Sequence, residues 1–328
     1  MTVSSHPGAV PLVVVTRAIP GSLELPGARV ESGPETKPTR DQLHSMIRGA
    51  TLVVTSYTDP VDDAFLDAAG AQLRGVCQIA VGTDNIDKAA CARRGVVVTN
   101  TPGAVTEGTA DLAFALILAV ARRIPAEDRY ARSAEYPAMG HLSMAAHIGL
   151  ELTGRTLLIV GAGRIGYATA LRSLGWGMRI LYVARSPHLE FEQAPLGASR
   201  VTLDEGLRRA DIVSLHTPLT PETRHLIDAR ALSLMKPDAM LINTSRGPVV
   251  DEAALVKHLR DARIWGAGLD VYEAEPTVHP GLLALENVVL TPHIGSANRV
   301  SRGIMVRMVE ANAIAILGGL APPNPVTR

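Results

Sequence analysis

The stretch TLLIVGAGRIGYATALRSLG constrains this chain more than any other. An apolar run, residues 157–160, meets Gly161, Ala162, Gly163, Arg164, Ile165 and Gly166, and a helix-like segment follows. The glycine spacing has a physical meaning. The first glycine lets the chain turn tightly, the second lets backbone approach a pyrophosphate, and the third lets the helix pack close to the strand. A helix N-terminus behind the turn offers unpaired N–H groups and the positive end of a dipole to phosphates. A second apolar run at 180–183 completes the strand–turn–helix–strand context that makes such glycines a dinucleotide cradle rather than a plain turn.

The residues after that second run bear on which dinucleotide. A unit that takes NAD holds the ribose 2′-hydroxyl with an acid about 20 residues past the glycines. Here Ala184, Arg185 and Ser186 stand instead. A carboxylate would repel a 2′-phosphate, whereas an arginine fork can clamp one through two hydrogen bonds. NADP is therefore the expected preference, with NAD as the lesser alternative. The plainer reading of Arg185 is an exposed side chain with no ligand.

Further runs rich in valine and isoleucine occupy residues 12–16, 52–55, 75–79, 96–99, 212–216, 240–243, 267–271 and 288–290. Several are apolar at every position, as in strands buried on both faces of a parallel sheet. Helix-like stretches separate them, so the chain reads as doubly wound α/β units. Its 328 residues exceed what one core organises. The alternation breaks once. Residues 106–123 form a long helical segment, with Thr106 as N-cap and Arg122 and Arg123 at its end. Residues 125–154, which include Pro137, Gly140 and Gly149, read as irregular. One unit thus spans the first hundred residues and a second about 105–295. A last helix at 298–317 must pack against one of them.

Composition removes several function classes. Lys plus Arg and Asp plus Glu balance at 32 each, so no net field draws the chain to nucleic acid or an anionic membrane. Hydrophobic residues at 47% and charged residues at 20% make a globular mixture, not a disordered one. Cys77 and Cys91 are too few for a disulfide framework and read as buried free thiols in a reducing compartment. MTVSSHPGAV lacks the basic start of a secretory signal. The most apolar run, 112–121, is too short to span a bilayer. A cytoplasmic location is the expectation.

Three apolar runs end in reactive side chains: Arg246 in NTSRG (243–247), Glu275 in GLDVYEAEP (268–276) and His293 in LTPHIG (290–295). In an open α/β sheet, ligands bind beyond the carboxyl ends of the strands, where these residues would stand. Each alone has an ordinary explanation: a surface ion pair, a solvated loop acid, or a core histidine.

Together they belong to a longer series: IAVGTDNID (79–87), the 106–123 segment, GAGRIG, LHTPLTPETRHLI (215–227), INTSRGPVVDEAAL (242–255), GAGLDVYEAEP (266–276) and LTPHIGSA (290–297). In this order they resemble the D-isomer-specific 2-hydroxyacid dehydrogenases over nearly the whole chain. HPGLLALENVVLTPHIGSA, with TRAIP near the start, is most similar to the glyoxylate/hydroxypyruvate reductase branch.

The resemblance implies two Rossmann-like doubly wound parallel-sheet domains with a cleft between them. Residues 1–104 and 297–328 would form the substrate domain and 105–296 the dinucleotide-binding domain. It implies NAD(P)H-dependent reduction of a small 2-oxo acid, glyoxylate or hydroxypyruvate, to the D-2-hydroxy acid. Ketone reduction needs a proton at oxygen as hydride reaches carbon, and an imidazole titrates in the right range. His293 is the implied acid, with Glu275 on its other ring nitrogen. Arg246 would bind the substrate carboxylate and polarise the 2-oxo group.

The remaining implied contacts are these. Backbone N–H groups around Val81 and Gly82 would hold the carboxylate, with Tyr57 in a loop overlooking the substrate. Asp270 would orient the nicotinamide carboxamide. Thr109, Arg164, Ile165, Ala184, His216, Thr217, Pro218, Thr223, Thr244, Ser245 and Gly295 would line the cofactor. No metal, nucleic acid or membrane partner is implied, and a homodimer is implied by analogy. Residues 133–144 lack the tryptophan of relatives, so Leu142 or Met144 fills its space or the pocket is differently shaped. Two other readings stay open: a reductase of bulkier 2-oxo acids, and a non-enzymatic dinucleotide-sensing module.

Overall fold

A computed structural model describes residues 10–326; most of the N-terminal stretch read for a signal lies outside them. The chain divides into two compact units. One runs to Val105 and resumes at Asn298, and the other is Thr106–Ala297.

In the first unit, β1 (Leu12–Val15), β2 (Arg29–Ser32), β3 (Leu52–Thr55), β4 (Gly75–Gln78) and β5 (Val97–Thr99) form one parallel sheet. Their order is β2-β1-β3-β4-β5, which changes direction between β1 and β3. Both faces are covered. Val14, Val53 and Val76 pack with Leu43, Ile47 and Phe65, while Val13, Val15, Leu52, Val54 and Cys77 pack with Val309, Ala313 and Ile316. That two-sided burial explains the unbroken apolar runs. The last three residues belong to the helix Arg299–Leu317, so the chain's final helix closes the first unit's second face. Asn298 caps it by accepting the Ser301 N–H.

The second unit holds seven parallel strands: β6 (Thr156–Val160), β7 (Arg179–Val183), β8 (Ser199–Arg200), β9 (Ile212–Leu215), β10 (Met240–Asn243), β11 (Gly266–Leu269) and β12 (Val288–Leu290). Their order is β12-β11-β10-β9-β6-β7-β8. The reversal between β6 and β9 is the switch point at which doubly wound sheets bind ligands. Leu158, Val160, Val213, Leu241 and Leu269 face one core; Leu157, Ile159, Ile212 and Ile242 face the other with Phe114 and Ile117. Each fully buried leucine or isoleucine contributes about 1.5–3 kcal/mol.

Three sequence expectations need correction. Thr106 is the first residue of the helix Thr106–Ala121, not its cap. Residues 125–154 are not wholly irregular: Ile124–Ala131 and Glu135–Met139 are helical, their polar faces having hidden the apolar period. The edge strands β2 and β8 went unseen, because RVES and SR carry no apolar run and stand largely exposed. Cys77 and Cys91 are buried free thiols, and burial pushes Cys77 up to about 12. Among the described residues, no helix is long and apolar enough to cross a membrane.

Candidate active site

Because β10, β11 and β12 are adjacent and parallel, the loops after them emerge side by side. Each carries one candidate catalytic residue. After β10, the buried Asn243 side chain organises the turn: its Oδ1 accepts from the Ser245 N–H and hydroxyl, and its Nδ2 donates to the Arg246 carbonyl. Arg246, half-buried, stands in extended backbone at the end of this turn.

After β11, the loop folds back so that Glu275 Oε1 accepts the Tyr272 N–H at 3.0 Å. Its other oxygen, Oε2, lies 2.8 Å from Nδ1 of His293 in the β12 loop. A carboxylate at Nδ1 directs that nitrogen to donate and leaves Nε2 as the ring's second polar atom. His293 itself sits at φ 56, in the left-handed region. Asp270 holds it there. Its carboxylate accepts from the Thr291 hydroxyl and the Ile294 and Gly295 N–H groups, and its carbonyl accepts the His293 N–H. Burial, foremost, raises the Asp270 carboxyl above its usual range, and these bonds oppose the rise.

The cradle after β6 fits a dinucleotide. A Cβ on Gly161 would lie 2.8 Å from the His216 carbonyl, and one on Gly166 only 2.3 Å from the Gly161 carbonyl oxygen. Among the described residues, a Cβ on Gly163 would meet nothing within 4 Å, so the space beside it is open. Helix Arg164–Arg172 begins there with no side-chain cap among the described residues, leaving first-turn N–H groups for phosphate. Two buried hydroxyls nearby in the fold's strand-end loops, Thr217 Oγ1 and Thr244 Oγ1, lack a partner among the described residues. Buried hydroxyls of this kind are usually satisfied by water or by a ligand. His216 is neutral: burial of its ring pushes it down to about 3, and its Nε2 pairs with the Ser214 hydroxyl.

In the first unit, the 81–85 loop is tied through its carbonyls. Asn100 Nδ2 donates to the Val81 carbonyl and Gln78 Nε2 to that of Gly82. Among the described residues, the Val81 and Gly82 N–H groups meet no protein acceptor. Two adjacent N–H groups without a protein acceptor among the described residues suit a carboxylate.

The comparisons with known proteins decide the family. Residues 114–295 match the model described as D-isomer specific 2-hydroxyacid dehydrogenase, NAD binding domain. The chain is 48% identical over 294 residues to a glyoxylate reductase of Thermococcus litoralis, covering 89% of this chain and 88% of that one. This chain belongs to the D-isomer-specific 2-hydroxyacid dehydrogenase family. A glyoxylate reductase of Korarchaeum cryptofilum is 46% identical over 97% of this dehydrogenase and 96% of its own length. The crystal structure of an NADPH-dependent glyoxylate/hydroxypyruvate reductase from Sinorhizobium meliloti superposes with a TM-score of 0.83. It is 33% identical and covers 97% of this chain and 98% of that one.

The dehydrogenase distributes the remaining sequence candidates unevenly. Thr109 and Asp270 lie against Gly295, within 3.2 and 3.3 Å of where its Cβ would be. Arg185 and Ser186 stand exposed past β7, and Arg200 donates to the carbonyls of Ala184 and Arg185. Thr223 spends its hydroxyl on the Pro218 carbonyl, and Ser245 its own on Asn243, so both serve first as turn fasteners. Met144 is fully exposed and Leu142 is 42% exposed, so neither fills an internal space. Sequence reasoning missed the fasteners Gln78, Asn85, Asn100 and Asn243. Asn85 bonds the carbonyls of Ser56 and Asp59, and so braces the loop that carries Tyr57.

Proposed function

We propose that this dehydrogenase reduces glyoxylate and hydroxypyruvate to glycolate and D-glycerate with NADPH. The observation that carries the reading is the 2.8 Å Glu275–His293 pair in loops neighbouring that of Arg246. The nicotinamide, when bound, supplies the hydride to the 2-oxo carbon. His293 delivers a proton from Nε2 to the oxygen as the carbon–oxygen double bond becomes single, and Glu275 holds the ring by accepting its Nδ1–H. Arg246 presents a rigid fork to the carboxylate and the developing alkoxide. For Val81 and Gly82 the family resemblance implies a carboxylate ligand, which their N–H groups can take. Gly161, Gly163, Arg164, Ile165 and Gly166 would hold the pyrophosphate, and Asp270 Oδ2, which accepts the Gly295 N–H, would offer its other lone pair to the carboxamide.

Preference for NADP rests on Arg185 and on the missing acid after β7. A relative of this family has been solved with NADP and malonate. A substrate domain formed by the first unit, and a homodimer by analogy with relatives, belong to the same reading. The test is loss of NADPH absorbance with a panel of 2-oxo acids, wild type against His293→Ala. Turnover should fall at least a hundredfold, since a positioned general acid contributes about 10² to 10⁴. Near-normal turnover in the variant would remove His293 from the chemistry, and a preference for bulky 2-oxo acids would replace the substrate class.

A further inference from the structure

We propose that Glu252 is a positioning residue for this reaction, pinning one peptide that the Arg246 loop and the Glu275 loop share. The proposal rests on the catalytic reading of Arg246, Glu275 and His293. That shared peptide joins Tyr272 to Glu273. On its carbonyl side it abuts Gly247, the neighbour of Arg246, so closely that a Cβ on Gly247 would fall 1.9 Å from the Tyr272 carbonyl carbon. On its amide side, the Glu273 N–H donates to Glu252 Oε1 at 2.7 Å. The preceding N–H, of Tyr272, belongs to Glu275. One peptide thus sets the spacing between the arginine arm and the carboxylate arm of the site.

An acid at position 252 suits the dipole of the helix it opens, but that alone does not require it to be buried. It opens the helix Glu252–Arg260, but Asp251 already caps that helix through the Ala254 N–H. It is buried, 6% exposed, where a carboxylate costs free energy unless its bonds repay it. The bond is reciprocated: Glu273 Oε1 takes the Glu252 N–H at 3.4 Å and also the His225 ring at 2.6 Å. Burial, foremost, raises the Glu252 carboxyl above its usual range; Glu273 and Glu275 add to the rise, and the Glu273 N–H and His279 oppose it. What the peptide needs from residue 252 is an acceptor at the right reach, not a charge.

Two near-isosteres separate these properties. Glu252→Gln keeps the reach and drops the charge; Glu252→Asp keeps the charge and withdraws the oxygen by about one bond length. The wild type and both variants are assayed with glyoxylate and NADPH, with NADPH affinity and the amide exchange of 272–273 measured alongside. The expected result is E252Q within about threefold of wild-type kcat, and E252D lower by about tenfold or more, since a 1 Å misplacement costs up to about 10². NADPH affinity stays unchanged in both, and exchange at 272–273 quickens only in E252D. If E252D matches wild type in kcat and exchange, or if E252Q is the damaged variant, the proposal is overturned. A wild type inactive with every 2-oxo acid would fail the proposed function instead, and the exchange contrast would still judge the pinned peptide.

Discussion

At the scale of single residues, charge and burial make two separable demands on this dehydrogenase. Arg185 is exposed past β7, so the proposed NADP preference is tested there by the cofactor and not by the fold. Arg185→Ala should raise the KM for NADPH by about tenfold or more, as expected for losing a charge-assisted bond of about 1.5–3 kcal/mol. The KM for NADH should hardly move. Equal losses with both cofactors would assign the 2′-phosphate elsewhere. His216 makes the opposite demand. Its ring is held neutral by burial, at about 3 against an ordinary 6.5. The unfolded chain therefore takes up a proton first as pH falls. The stability carried by the neutral ring is complete above about 6.5 and drains as pH descends towards 3, by up to about 1.4 kcal/mol per pH unit. Urea unfolding between pH 7 and 4 should show a steeper pH slope for wild type than for His216→Gln, by close to one proton. Parallel slopes would mean that the folded ring titrates normally.

At the scale of elements, the strand–turn–helix after β6 contains two glycines with different duties. A Cβ on Gly166 collides with backbone 2.3 Å away, so Gly166→Ala should cost about 1–3 kcal/mol of stability, as overpacking does. Among the described residues, a Cβ on Gly163 meets no atom within 4 Å. Gly163→Ala should leave the melting temperature unchanged and weaken NADPH binding about tenfold or more, because the methyl occupies the phosphate's approach. A lowered melting temperature with normal NADPH affinity would reverse that assignment. This turn was legible in the sequence because its demands are local: each glycine answers to atoms within one strand, one turn and one helix. The doubly buried strands were legible for a like reason, since burial on both faces writes itself as a continuous apolar run. β2 and β8 were not, because an exposed edge strand is specified by its neighbour's ladder and not by its own side chains. The fasteners were hidden for another reason. Gln78, Asn100 and Asn243 resemble any polar loop residue until the carbonyls they hold are brought beside them. Glu252 and Glu273 lie 21 residues apart, with no period to connect them.

At the scale of the whole molecule, the second unit is one uninterrupted length of chain, whereas the first is assembled from both ends of it. Thr106–Ala297 carries its own seven-stranded sheet with a hydrophobic core on either face, and the cradle, Arg246, Glu275 and His293 all lie within it. A segment of this size burying two cores has what independent folding requires. Expressed alone, residues 106–297 should unfold cooperatively and bind NADPH with an affinity near that of the full chain, read by quenching of tryptophan fluorescence. Trp176 and Trp265, the tryptophans of the whole sequence, both lie in this unit. Turnover of glyoxylate should be lost, because the segment lacks the first unit, whose proposed role is to bind the substrate. An isolated segment that reduced glyoxylate at the full chain's rate would leave the first unit without its proposed role. A segment that folded yet failed to bind NADPH would show instead that the cradle depends on residues outside 106–297.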